Sequence, residues 1–219
     1  PGAFAEYFVA PVGCLHAISE EVPVDAAVMV EPLSIGVQAT TRAEVAPDDT
    51  VLIIGAGTIG LSVMIVALAR SARVAVCDIS PGRLTLARSL GAETVINAAQ
   101  QDVSEEVGRW CGSSGPAVVV EAVGRSATVR QALELVAASG RVVMLGLCSE
   151  EIVIPGALMV RKELDFRGSR LHGGTVPEAV AMVESGEAAP QRLVTHHMRL
   201  AELAHAFELM RDEPDRTLK

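Results

Sequence analysis

Positive charge is scarce in this chain. Eighteen Lys and Arg face 27 Asp and Glu, a formal net charge of −9. Proteins that hold nucleic acid concentrate positive charge, so that class of partner is not expected. Long hydrophobic runs are lacking too. Of the 219 residues 50% are hydrophobic, yet the longest apolar segment, Leu61 to Ala69, contains Ser62 and stops at Arg70. A membrane span needs about 20 apolar residues, so no membrane partner is expected. Cysteine is sparse and scattered. Cys14, Cys77, Cys111 and Cys148 show no metal-ligand spacing and read as reduced thiols of a cytoplasmic protein. The sequence as given opens at Pro1 without an initiator Met or a leader pattern, and it contains no repeat and no low-complexity linker.

Against these absences stands one dense stretch. Val51-Leu52-Ile53-Ile54 reads as a buried strand and Gly55-Ala56-Gly57-Thr58-Ile59-Gly60 as a glycine-rich turn. Leu61 to Ala69 follows as a helix, and Val74-Ala75-Val76-Cys77-Asp78 as a second buried strand ending in an acid. In that order the parts make a dinucleotide site. The glycine spacing alone is a weak signal; the flanking elements and an acid 18 residues past Gly60 make it specific. Gly55 allows the tight turn, Gly57 lets backbone approach a pyrophosphate, and Gly60 lets the helix pack on the strand. Unpaired N–H groups at the helix start, around Thr58 and Ile59, face the phosphates, and the helix dipole favours their charge. Asp78 accepts hydrogen bonds from the adenosine ribose hydroxyls and repels a 2′-phosphate, which favours NAD over NADP. A negative chain can still bind NAD, because backbone N–H groups need no basic surface. The alternative is a glycine turn with no ligand.

A βα rhythm follows. Ser80 caps a helix that Pro81 opens and Gly91 closes, with Leu84, Ala87 and Leu90 on one face. Thr94 to Ile96 is a short strand, Asp102 to Trp110 a more polar helix and Ala117 to Glu121 a fourth strand. Ala127 to Ala138 is a helix closed by Gly140, Arg141 to Leu145 a fifth strand, and Leu164 to Gly168 a sixth, after the extended Ile152–Pro155. Continuous apolar strands alternating with helices predict an α/β fold, a doubly wound parallel six-stranded Rossmann sheet with its ligand at the strands' carboxyl ends. The flanks read differently. Ala3 to Val9 alternates like a strand, Gly13 to Ile18 is another short strand, and Pro23 to Met29 a short helix. Glu31-Pro32-Leu33 opens a helix that runs to about Arg42. Beyond Leu171, Pro177–Ser185 and Leu200–Arg211 read as helices and Leu193–Met198 as a strand.

Several separated motifs then converge: Gly2 to Tyr7, Val30 to Gly36, the glycine turn, Leu90-Gly91-Ala92, Glu121-Ala122-Val123-Gly124, Gly140 to Val143 and Leu193 to His196. Together they resemble the zinc-type medium-chain dehydrogenase/reductase family, in particular its sorbitol, polyol and sugar-acid branch. The resemblance runs nearly end to end. It implies a catalytic domain split around an inserted nucleotide domain. Residues 1–34 would end the first catalytic segment, 35–171 would form the NAD-binding Rossmann domain, and 172–219 would be the returning catalytic segment, so that remnants of a split catalytic domain flank the sheet. The family's amino-terminal catalytic portion, which carries the Cys and His ligands of the catalytic zinc, has no counterpart in the sequence as given. The implied activity of the intact protein is hydride transfer between NAD and a secondary alcohol, a polyol or sugar acid, with zinc lowering the pKa of the bound alcohol. The alternatives are a non-catalytic NAD-binding or oligomerising fragment and a methyltransferase. Glu31-Pro32-Leu33 and Leu193 to His196 weigh against the last.

The resemblance also assigns positions. Glu31 matches a residue at the catalytic zinc, as ligand or through water; taken alone it is an acid that suits a helix start. One carboxylate cannot hold a catalytic zinc, which usually takes three protein ligands, so neither a tight zinc site nor turnover is expected from this chain by itself. Arg83 matches a position beside the adenosine, or is a solvated helix charge. Val123 and Gly124 follow the fourth strand, and Leu145, Gly146 and Leu147 the fifth, where they would face the nicotinamide; plain loop structure is the other reading. Arg170 would pair with a substrate carboxylate and His172 would contact substrate or a proton path, unless Ser169 to His172 is a solvated hinge. His196 and His197 are neighbours on an expected strand, point to opposite faces and read as structural. Cys148 reads as a loop thiol near the nicotinamide side. Ile152-Val153-Ile154 matches an edge strand that pairs subunits in the family, which implies a homodimer or homotetramer.

Overall fold

The computed structural model describes residues 4–219. Pro1, Gly2 and Ala3 lie outside the described residues, and with them the start of the expected Ala3–Val9 strand and of the Gly2–Tyr7 motif.

Strand β1 (Thr50–Ile54) takes the centre of the sheet because it has nothing polar to expose past Thr50; Val51, Leu52 and Ile53 are 0% exposed and Ile54 3%. It pairs in parallel with β2 (Arg73–Asp78) on one side and β4 (Val118–Glu121) on the other. β3 (Thr94–Asn97) lies beyond β2, and β5 (Arg141–Met144) and β6 (Asp165–Gly168) lie beyond β4, so the order is β3-β2-β1-β4-β5-β6. This is the doubly wound parallel sheet that the apolar strand runs predict.

Alternation along the strands sorts the core into two layers. Val51, Ile53, Val74, Val76, Val118 and Val120 pack with one set of helices: α1 (Val24–Ala27), α2 (Val30–Arg42), α3 (Thr58–Ala69), α4 (Pro81–Ser89) and α8 (Val176–Glu184). Leu52, Ile54, Ala75, Cys77, Val119 and Val142 pack with the other: α5 (Val103–Cys111), α6 (Ser126–Leu135) and α7 (Gly156–Lys162). Helix α9 (Leu203–Asp212) buries no residue. Helix α3 is apolar on all sides because β1 covers its inner face and α2 its outer one. The two helices meet backbone to backbone at Gly36, where a Cβ would stand 2.7 Å from the Ser62 carbonyl oxygen.

Local chemistry sets several boundaries as expected. Ser80 accepts the Arg83 N–H at 3.4 Å ahead of Pro81, and Asp102 accepts the Glu105 N–H at 3.0 Å to start α5. Helix α6 ends at Leu135 rather than Ala138. Val136 turns extended there, and the Lys162 ammonium takes the carbonyls of Glu134 (2.6 Å) and Val136 (2.7 Å).

The flanks depart from the sequence reading. No strand forms over 4–9 or over Gly13–Ile18; a 3-10 turn at Val12–Cys14 replaces the second. Leu193–Met198 is a 3-10 turn (Pro190–Leu193) leading into extended chain, whose Thr195 and His196 N–H groups bond the Lys219 carbonyl at 2.9 and 3.3 Å. Ile152–Pro155 joins no ladder among the described residues, and it leads into a seven-residue helix, α7, that the sequence does not signal. A strand needs a partner edge as well as an alternating pattern, and none of these segments meets one among the described residues.

The Gly36 contact generates a stability test. Alanine favours a helix interior over glycine by about 1 kcal/mol, but the added methyl would push on backbone that cannot swing aside, an overpacking cost of about 1–3 kcal/mol. The clash is expected to win, so Gly36→Ala should lower the urea midpoint. A raised midpoint would show that α2 can slide off α3.

Candidate functional site

The glycine turn leaves β1 through Gly55, whose φ of +107° is a left-handed value that side chains disfavour and whose N–H donates to the Cys77 carbonyl at 2.8 Å. A Cβ on Gly60 would run into the Gly55 carbonyl, so the first turn of α3 sits directly on the glycine turn. The outer side is different: nothing stands within 4 Å of where a Gly57 Cβ would be, and no side chain caps α3. The helix start therefore presents backbone N–H groups beside an open surface, which suits an anion.

Asp78 ends β2 next to this turn. Its Oδ2 accepts the Ala56 N–H at 2.6 Å and its Oδ1 accepts the Ser80 N–H at 2.8 Å. These bonds fix the carboxylate, and each oxygen keeps capacity for a further donor. Burial, and then the Asp78 charge, pushes the neighbouring Cys77 thiol up to about 12.

Two crevices open at the carboxyl ends of the strands. The first, about 490 Å³, brings together Gly55, Gly57, Asp78, Arg83 and Val123. Ile79, Arg125, Thr128 and Gln131 line it as well, and the sequence reading missed them. Ile79 follows the expected ribose acid directly and Arg125 follows Gly124, so adjacency was the available signal. The second crevice, about 590 Å³, gathers Ile59, Leu145, Gly146, Leu147 and Arg170, joined by Ile35, Cys148 and Ser169. Gly124 stands between the two crevices, where a Cβ would lie 2.9 Å from the Leu147 carbonyl oxygen.

The three residues expected to serve catalysis do not meet in one cavity. Arg170 lines the second crevice. Glu31 is exposed and lines a third, of about 500 Å³, with Cys14 and His16. His172 is exposed, and its Nδ1 accepts the Gly174 N–H at 3.2 Å. Among the described residues, no group of three or more His, Cys, Asp or Glu stands close enough to hold a metal ion. The residues present thus do not fit a zinc centre by themselves. His196 bonds the Thr195 hydroxyl (3.0 Å) and His197 the Asp25 carboxylate (2.8 Å), so each histidine has a separate partner.

Arg83 is half-buried in the first turn of α4. Its Nη2 donates to the Pro214 carbonyl at 2.6 Å, and its buried Nε has no partner among the described residues. Thr58 Oγ1 likewise donates to the Leu218 carbonyl at 2.8 Å. Residues 213–219 therefore touch the glycine turn and the start of α4, a closeness that no local pattern announced.

Comparison with known proteins places this geometry. Residues 58–185 match the family described as zinc-binding dehydrogenase. Over 213 residues the chain is 35% identical to an erythritol/L-threitol dehydrogenase of Mycolicibacterium smegmatis, covering 96% of this chain and 59% of that protein. It is 30% identical over 209 residues to the sorbitol dehydrogenase of Bacillus subtilis, covering 94% and 59%. A solved alcohol dehydrogenase of Escherichia coli CFT073, in complex with the cofactor NADH, superimposes with a TM-score of 0.94 at 29% identity, over 99% of this chain and 64% of that one. The chain thus spans less than two thirds of the length of the proteins it matches. No helix among the described residues is long and apolar enough to cross a membrane.

The thiols offer a check on this packing. With its pKa raised from 9.0 to about 12, Cys77 should resist a maleimide at about pH 8 while the exposed Cys14 reacts. Cys77 should label only in denaturant. Because the folded-state pKa is raised, the stability linked to the protonated thiol is intact below about pH 9 and is lost as pH rises towards 12. Native labelling of Cys77 at the rate of Cys14 would contradict the burial of Cys77 in the sheet core.

Proposed function

The chain belongs to the zinc-binding dehydrogenase family, and from that premise we propose that it is the cofactor-holding part of an NAD-dependent dehydrogenase acting on a secondary alcohol of the polyol or sugar-acid kind. The observation that carries this reading is the Asp78 carboxylate, fixed by the Ala56 and Ser80 N–H groups beside an open glycine turn. That is the chemistry a ribose diol and a pyrophosphate require at adjacent places.

Bound NAD supplies the hydride acceptor. The work of this chain is then binding and orientation. Asp78 receives the adenosine ribose hydroxyls, and the N–H groups at Thr58 and Ile59 meet the pyrophosphate. Ile79, Arg83, Val123 and Arg125 wall the adenosine side, and Gly124 stands between it and the nicotinamide side. Leu145, Gly146 and Leu147 wall the nicotinamide side, where Ile59 and Ile35 keep water out. Arg170, on the rim of that crevice, suits a substrate carboxylate, and His172 lies two residues beyond it. Zinc enters this reading only partly through the chain: Glu31 offers one carboxylate, and further ligands would come from the length of the relatives that this chain does not span. In this proposal residues 35–171 are the nucleotide domain, and 1–34 and 172–219 are portions of a split catalytic domain. Ile152–Pro155, outside the sheet and with Val153 71% exposed, is the proposed contact of a homodimer.

Calorimetry with NAD, NADP and S-adenosylmethionine tests the cofactor reading. NAD is expected to bind about tenfold or more tightly than NADP, since a 2′-phosphate would face Asp78, and Asp78→Ala should erase the difference. Tighter binding of NADP to the parent chain would refute the role given to Asp78, and binding of S-adenosylmethionine alone would point to a methyltransferase. The same sample, dialysed against a chelator, is expected to keep no stoichiometric zinc and to show no turnover with polyols. Light scattering at micromolar concentration should report a dimer; a monomer would sink the Ile152–Pro155 contact.

A further inference from the structure

Two acids close the central strands at the carboxyl edge. Asp78 ends β2 half-buried beside the first crevice, whereas Glu121 ends β4 and is 0% exposed. Burying a carboxyl group is costly unless its oxygens are hydrogen-bonded. Glu121 Oε1 accepts three bonds, from Val123 N–H (3.0 Å), Gly124 N–H (2.8 Å) and the Thr128 hydroxyl (2.7 Å). Its Oε2 is buried without a partner among the described residues. Its main-chain carbonyl accepts the Leu145 and Gly146 N–H groups, at 2.8 and 3.2 Å.

These bonds meet at the place where three loops touch. Val123 presses on the glycine turn: a Cβ on Gly55 would stand 2.9 Å from its Cγ2. Gly124 presses on the loop after β5, 2.9 Å from the Leu147 oxygen by the same measure. The Glu121 side chain holds the loop after β4 and the first turn of α6, while its backbone holds the loop after β5. A helix cap would explain only the Thr128 bond. It would not explain a carboxylate aimed at two loop N–H groups with one oxygen left unsatisfied.

We infer that Glu121 is a positioning residue that joins the adenosine and nicotinamide sides of the cofactor crevice by fixing the loops after β4 and β5 against each other. The ligand in this inference rests on the dinucleotide reading above; the loop geometry does not.

The test compares Glu121→Ala, Glu121→Gln and Leu133→Ala with the parent chain. Leu133 is a fully buried core residue near the carboxyl end of α6, five residues beyond Thr128. Hydrogen exchange without ligand reads the loops, and calorimetry reads NAD. Glu121→Ala should lose protection at Val123 and Gly124, spread that loss to Gly146, and bind NAD about tenfold or more weakly. Glu121→Gln keeps an acceptor oxygen for the three donors. It should restore loop protection and bind NAD within about threefold of the parent, even though its amide nitrogen meets no partner and its Tm falls. Leu133→Ala should lower Tm and leave both loops and NAD affinity unchanged. The inference is overturned if Glu121→Ala leaves loop protection at the parent level, or if Leu133→Ala loosens the loops equally. A parent chain that fails to bind NAD, with loops that still loosen in Glu121→Ala, would overturn the dinucleotide reading and uphold the positioning role.

Discussion

A parallel sheet covered on both faces can place charge only where its strands stop. In β1, β2 and β4 every residue between the strand ends is apolar and buried, because helices lie against both sides. Ile54, the last residue of β1, pairs with Cys77 and with Glu121, so the acids of β2 and β4 flank it. Their treatment differs. Asp78 keeps access to solvent and spends one bond on each oxygen, while Glu121 is buried and turns three donors onto one oxygen. Asp78 is thus open to a further donor, whereas Glu121 is turned wholly towards its own chain. Both follow from a core that tolerates polarity nowhere else.

This constraint also explains what was legible. Uninterrupted apolar strands with capped helices between them fix type and order, and β1 to β6 fall where the sequence puts them to within a residue or so. Ser80, Pro81 and Asp102 are legible because a cap is local chemistry. The segments over 4–9, Gly13–Ile18 and Leu193–Met198 mislead because alternation specifies a face and not a partner. Gly156–Lys162 hides for a related reason: it lies between an extended apolar stretch and a strand, and α7 buries no residue fully.

The candidate site divides along the same line. Gly55, Gly57, Asp78 and Val123 meet because the ends of adjacent parallel strands converge, and strand order was readable. Leu145, Gly146 and Leu147 reach the second crevice for that reason too. Glu121 was visible as part of a motif, but its burial depends on how α6 and the loop after β5 pack over it, which no local pattern records. Glu31 lies on α2 whereas Arg170 and His172 lie two residues apart after β6, so only tertiary packing relates the first to the other two, and the three do not share a crevice.

The contact between residues 213–219 and the glycine turn raises the question of what holds that segment there. Two hydrogen bonds link them, Thr58 to Leu218 and Arg83 to Pro214. Each contributes about 0.5–1.5 kcal/mol net. Leu218 is 8% exposed within the α2–α3 side of the core, and burying a leucine contributes about 1.5–3 kcal/mol. Apolar burial and the two bonds are therefore of similar size, and the bonds add direction to what burial alone would leave unoriented. The bond to Pro214 satisfies only part of the Arg83 guanidinium, because its buried Nε has no partner among the described residues.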